Sequence, residues 1–92
     1  AVNRLSSGER QRLALLRLLV QQPAVLLLDE PTANLDADNT KRVESLLHRY
    51  RTEAAAALIW VGHDPAQLER VTDRVYTLSD GRLTQERALR RP

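Results

Sequence analysis

The sequence contains no cysteine, methionine or phenylalanine, and only three of its 92 residues are glycine. Because cysteine is absent, a disulfide framework and a thiolate metal site are both excluded. The longest apolar runs, residues 24–28 and 54–61, are too short to cross a bilayer, and no signal peptide is visible. These residues therefore predict neither a disulfide-stabilised domain nor a membrane-spanning one.

A strong charge of one sign is also missing. The net charge is +2 and the predicted pI is about 9.7, because nearly all basic residues are arginines. This excess is too weak to indicate nucleic-acid binding by itself. Arg10, Arg12 and Arg17 have no interleaved aromatic side chains on which bases could stack. We expect no direct contact with nucleic acid.

A phosphate-binding P-loop of the form G-x-x-x-x-G-K-[ST] is absent as well. Lys41 is the only lysine, and it follows Asn39 and Thr40 instead of a glycine-rich loop. The sequence also begins without methionine and without a strand that would lead into its first helix. We therefore expect residues 1–92 to be the latter part of a longer protein.

The hydrophobic pattern predicts helices alternating with strands. A helix from Ser6 or Ser7 to about residue 22 carries leucines around most of its circumference, so we expect it to be largely buried. The runs 24–29 and 56–61 do not alternate, which is typical of strands buried on both faces. Between them, a helix capped by Asp36 or Asp38 is predicted. Its apolar stripe consists of Val43, Leu46, Leu47 and Tyr50.

The last third of the sequence predicts a short helix over residues 65–70 and then a hairpin. The pair Asp80-Gly81 between two short apolar runs indicates a tight turn. Residues 85–92 are interpreted as a frayed helix or coil. The order of elements predicts an α/β fold, with parallel central strands flanked by helices and a C-terminal β-hairpin.

Polar residues follow both predicted central strands. Asp29 and Glu30 end the first, and His63 follows the second. The carboxyl ends of parallel strands meet at the edge of a sheet where ligands bind, so we expect the imidazole to lie close to the two acids. Adjacent strand residues face opposite ways, so the two carboxylates should reach different places. One could serve a metal ion while the other orients a water.

A second candidate site lies at the start of the first helix. Ser6, Ser7 and Gly8 could be a simple helix cap, or they could let a polyphosphate approach the free N–H groups of the first turn. Taken alone, the cap is the simpler interpretation. The same holds for Asp29-Glu30-Pro31, which alone would be only an acidic turn.

Together these segments resemble one family. "LSSGERQR", "VLLLDEPTANLD" and "WVGHD", in this order and spacing, are similar to the C-terminal part of an ATP-binding cassette (ABC) ATPase, a member of the P-loop NTPases. The stretch of residues 46–64 is also similar to small bacterial iron-export cassettes of the FetA type. The resemblance implies one domain portion, residues 1–92, which lacks the Walker A and glutamine-loop part.

The resemblance also implies roles for individual residues. The signature motif would be Leu5, Ser6, Ser7, Gly8 and Glu9, which would contact ATP held on the P-loop of a second ATPase subunit. Asp29 would hold Mg²⁺ and Glu30 would be the general base. His63 would contact the γ-phosphate, and Asp36 in the D-loop would couple the two sites of the dimer.

Two hypotheses follow for the complete protein. One is the ATP-binding subunit of a membrane transporter, located on the cytoplasmic face of the membrane through a permease. The other is a chromosome-maintenance or DNA-repair ATPase of the SMC type, which would place a long coiled coil before the signature.

Ser7 departs from the family, which usually has glycine there, and Gly62 replaces a common threonine or serine. On their own, residues 1–92 are expected to be inactive.

Overall fold

The computed structural model describes the backbone of residues 7–88 and the side chains of residues 8–85. The chain forms two compact units, residues 1–61 and residues 62–92. The first unit contains helix α1 (Ser7–Val20), strand β1 (Val25–Asp29), helix α2 (Ala37–Ala54) and strand β2 (Ala57–Val61). The second contains helix α3 (Pro65–Val71) and strands β3 (Arg74–Ser79) and β4 (Arg82–Ala88). The predicted order of elements is therefore confirmed.

Strands β1 and β2 form a parallel pair in which Val25 lies beside Ala57 and Asp29 beside Val61. Helix α2 is the crossover between them, as expected for a parallel connection. Beyond the end of β1 the pairing continues for one bond, since the backbone N–H of Glu30 donates to the carbonyl of Val61 at 2.8 Å.

The core of the first unit lies between α1, α2 and one face of the strand pair. Val43 and Leu47 on α2 are its most deeply buried large side chains, at 0% and 1% exposure. Partly buried side chains pack against this core, and the predicted stripe of α2 is thereby confirmed. The buried members are Leu15, Leu19, Leu26, Leu28, Val43 and Leu47, and the partly buried ones include Leu46, Tyr50, Leu58 and Trp60.

The prediction that both strands are buried on both faces is wrong for this structure. Side chains alternate along β1, so that Leu26 and Leu28 are buried while Leu27 is 68% exposed. On β2, Ile59 is 54% exposed. The apolar runs place hydrophobic side chains on both faces of the strand pair, but the described residues cover only one of these faces.

Helix α1 also departs from its prediction. Of its leucines, only Leu15 and Leu19, one turn apart, are buried, whereas Leu16 is 47% exposed and the neighbouring Val20 is 79% exposed. The helix ends at Val20, two residues earlier than predicted, and Gln22 takes a left-handed backbone with φ 54° before Pro23. One stripe of α1 therefore faces α2 and the strand pair, while Leu16 and Leu18 lie on the surface.

The second unit is a short helix followed by a hairpin. Asp64 caps α3, because its side chain accepts from the N–H of Ala66 at 3.1 Å, and Pro65 occupies the first turn. Asp80 and Gly81 form the two-residue turn, both with positive φ, which confirms the predicted hairpin. The interpretation of residues 85–92 as helix or coil is wrong for residues 85–88, which belong to strand β4. Residues 89–92 lie outside the described part.

Candidate functional site

The loop between β1 and α2, residues 30–36, carries most of the candidate site that the structure describes. Asp29 is the last residue of β1, and its side chain is exposed. Glu30 follows outside the strand with a left-handed backbone, φ 45°, a conformation that non-glycine residues rarely adopt. The N–H of Ala33 donates to the carbonyl of Glu30 at 3.1 Å, so the chain turns immediately.

This geometry corrects one step of the sequence argument. The alternation of a strand was expected to send the two carboxylates to opposite sides. Glu30 is not a strand residue, however, so its direction is set by the left-handed backbone and not by the pleat. Non-glycine residues in this conformation cost about 1 kcal/mol or more and cluster at functional sites.

The end of the loop is fixed by the cap of α2. Asp36 has an extended backbone, φ −70° and ψ 174°, and its Oδ1 accepts from the N–H of Asn39 at 2.8 Å. Of the two predicted cap residues, Asp36 is therefore the correct one. Asn34 in the middle of the loop has φ 65°, a value that asparagine tolerates better than most residues.

The start of α1 is the second part of the candidate site. Ser7 is the first residue of the helix, Gly8 is buried, and Glu9 lies in the first turn. Leu5 and Ser6 lie outside the described residues. Serine in place of glycine at position 7 meets no backbone obstacle, because residue 7 is helical.

Two side chains of α1 reach the elements that bear Glu30 and Asp36. Gln11 Nε2 donates to the carbonyl of Pro31 at 2.6 Å, directly after Glu30. Arg12 Nη1 donates to Oδ1 of Asn39 on the first turn of α2. The start of α1 and the loop 30–36 are thus held together within the first unit. Sequence reasoning missed Gln11 and Asn39, since nothing in their local sequence marks the long-range contacts that they make.

His63 belongs to the second unit, where it precedes the cap residue Asp64 of α3. Its expected proximity to Asp29 and Glu30 stays a prediction. In the described part of the chain, no group of three or more histidine or acidic side chains could hold a metal ion by itself. No helix between residues 7 and 88 is long and apolar enough to span a membrane.

An α/β unit with a parallel strand pair, an acidic turn after its first strand and a helix N-terminus bonded to that turn matches a known structural class. CbiO1 from Clostridium perfringens, described as part of the ABC transporter complex CbiONQ, superimposes with a TM-score of 0.79 at 34% identity. The match covers 89% of this chain and 33% of that structure. The fold is therefore similar to that of part of this ABC transporter protein.

Sequence comparisons give the same family. A family model described as ABC transporter matches residues 1–33. The phosphate import ATP-binding protein PstB of Aeropyrum pernix is 45% identical over 83 residues, which are 90% of this chain and 33% of that protein. The lipoprotein-releasing system ATP-binding protein LolD of Pseudomonas syringae is 42% identical over 81 residues, 88% of this chain and 35% of that protein.

The chain is thus homologous to part of the ATP-binding subunits of ABC transporters. It spans about a third of the length of the relatives it matches. None of these findings supports the alternative of an SMC-type chromosome-maintenance or DNA-repair ATPase.

Proposed function

We propose that this chain is the C-terminal portion of the nucleotide-binding domain of an ABC transporter and that the complete protein hydrolyses ATP to drive transport. The fold match to CbiO1 at a TM-score of 0.79 supports this best, because it extends over 89% of the chain. The relatives are named for different cargoes, from phosphate to lipoprotein, so the cargo of this protein stays open and the FetA-type resemblance stays a hypothesis. Alone, residues 1–92 are expected to be inactive.

Glu30 is the proposed general base. Its position directly after β1, at a turn with φ 45°, presents a carboxylate at the carboxyl edge of the strand pair. There it would accept the proton of the water that attacks the γ-phosphate. His63 would contact the γ-phosphate and keep the water aligned.

Asp29 is the proposed Mg²⁺ residue. Mg²⁺ is usually bound through one or two carboxylates together with substrate phosphates, and a single exposed carboxylate at the end of β1 fits that donor set. The ion would neutralise charge between the β- and γ-phosphates when ATP is bound. Asp29 would hold it, through water, from the protein side.

The start of α1 is proposed to bind the ATP of a second subunit. A helix N-terminus offers free N–H groups and partial positive charge, which suit a polyphosphate. Leu5, Ser6, Ser7, Gly8 and Glu9 would form this surface. Asp36 would then link the two ATP sites of the dimer, which closes when ATP is bound.

A permease subunit is the proposed membrane partner. CbiO1 is described as part of a transporter complex, and the described part of this chain has no helix that could span a bilayer. The ATPase would thus lie on the cytoplasmic face of the membrane, held there by the permease.

The ATPase activity of the complete protein tests the proposal. Glu30→Gln should abolish turnover, because the amide keeps the shape of the side chain but cannot accept the proton, while ATP binding persists. Glu53→Gln on the exposed face of α2 is the matched control and should retain parental turnover, since Glu53 is 70% exposed. Turnover of Glu30→Gln at the parental rate would refute the assignment.

A further inference from the structure

Asn39 contacts three residues of the candidate site, through hydrogen bonds or by packing. Its backbone N–H donates to Oδ1 of the cap residue Asp36 at 2.8 Å, and its side-chain Oδ1 accepts from Arg12. Its side-chain amide also lies against Gly8, where a Cβ would come closer than 3.0 Å to three atoms of that amide. The side chain of Asn39 thus lies between the start of α1 and the start of α2.

Gln11 makes the second connection between the same elements. Its Nε2 donates at 2.6 Å to the carbonyl of Pro31, the residue after Glu30. Gln11, Arg12 and Asn39 are all partly buried, so water competes only partly for these bonds. We name these three residues the α1–α2 clamp.

We propose that the α1–α2 clamp positions the start of α1 relative to the turn at Glu30, and that Asn39 is its central positioning residue. This inference rests on the proposed function, in which the start of α1 and Glu30 act on different ATP molecules of one dimer. A rigid connection between them makes the position of the base depend on whether the start of α1 is engaged with the partner's nucleotide.

The clamp follows from the local chemistry of both helices. Arg12 is one turn after Gly8, so both lie on the same face of α1 and both reach Asn39. Asn39 lies in the first turn of α2, where its N–H has no partner within the helix and is satisfied by Asp36. The contact between the two helices therefore needs a side chain of the size of asparagine that carries a hydrogen-bond acceptor for Arg12.

Steady-state ATPase kinetics of the complete protein test the clamp. Asn39→Ala should lower kcat roughly tenfold, because displacements of about 1 Å in an active site cost up to 10²-fold. KM for ATP should stay within about twofold, because the variant leaves the subunit's own nucleotide pocket intact. Asn39→Asp has the same shape and keeps the acceptor for Arg12, so this variant should retain most of the parental kcat. Lys41 is exposed on the same helix, so Lys41→Ala is the control.

A double-mutant cycle separates the clamp from a general loss of stability. Arg12→Ala and Asn39→Ala remove the same bond, so the double variant should lose no more kcat than the more affected single one. Arg17 is exposed on α1, so Arg17→Ala should keep the parental kcat. Losses that multiply, an Asn39→Asp variant as slow as Asn39→Ala, or a parental kcat for Asn39→Ala would each overturn the inference.

Hydrogen exchange distinguishes failure of the clamp from failure of the proposed function. In Asn39→Ala, amides of residues 11–14, which donate to carbonyls of the first turn of α1, should exchange faster than in the parental protein, with or without ATP. A parental protein without ATPase activity would refute the proposed function and the catalytic role of the clamp with it. Unchanged exchange at residues 11–14 in Asn39→Ala would refute the clamp itself.

Discussion

Gly8 on α1 lies directly against the side-chain amide of Asn39 on α2, with no room between them for a Cβ. The two helices approach this closely because one residue has no side chain and the other fills the space with a polar one. Glycine at position 8 therefore has a structural reason that is independent of any nucleotide.

Gly8→Ala should destabilise the protein, because the new methyl group overlaps Asn39 and forces the two helix starts apart. We expect a loss of about 1–3 kcal/mol in the free energy of unfolding, measured by urea denaturation. In an Asn39→Ala background the same substitution should cost much less, since the overlapping atoms are gone. Equal costs in both backgrounds would contradict this packing.

Ala55→Gly should stabilise the protein. Ala55 terminates α2 with a left-handed backbone, φ 51° and ψ 39°, where glycine carries no steric penalty. We expect a gain of about 0.5–1 kcal/mol in thermal or urea unfolding. Ala54→Gly is the matched control, because Ala54 is the last helical residue of α2 and glycine there should destabilise. The reverse order of the two variants would refute the assigned end of α2.

Leu47→Ala should be among the most destabilising truncations. Leu47 is 1% exposed in the centre of the core, so its removal leaves a cavity and should cost about 2–5 kcal/mol. Leu16→Ala on α1, where the side chain is 47% exposed, should cost much less in the same unfolding experiment. Similar losses for both variants would place Leu16 in the core, contrary to the structure.

Substitutions of Asp36 separate its role as a cap from its proposed role in the dimer. Asp36→Ala removes the acceptor for the N–H of Asn39 and should cost about 1 kcal/mol of stability. Asp36→Asn keeps a good cap residue and should retain stability, so any loss of its ATPase activity would come from the carboxylate. If Asp36→Asn were as unstable as Asp36→Ala, the charge and not the cap would stabilise α2.

Sequence patterns predicted the elements better than their burial. The cap at Asp36, the stripe of α2 and the Asp80-Gly81 turn follow from local rules of side-chain and backbone chemistry, and all three are confirmed. Burial of Leu27 and Leu16 was wrongly predicted, because an apolar residue shows that a face could be covered but not what covers it.

The candidate site was predictable where a motif carries it and unpredictable where packing does. Asp29 and Glu30 are recognisable because two acids directly follow an apolar strand. Gln11 and Asn39 are not, because their roles depend on contacts between residues 20 and 27 positions apart. The left-handed backbone of Glu30 likewise has no signal in the sequence, since glutamate is not typical of that conformation.

The start of α1 and Glu30 are proposed to serve different ATP sites in one dimer. Ser6→Asp should inactivate the first function, because a carboxylate repels phosphate. Glu30→Gln should inactivate the second. Each variant of the complete protein should be inactive alone.

ATPase activity after mixing the two variants tests this claim most directly. A mixed dimer would contain one site with an intact Glu30 from one subunit and an intact α1 start from the other, so mixing should restore turnover. If both functions belonged to the same site of one subunit, the mixture would stay as inactive as either variant alone, and the account would be contradicted.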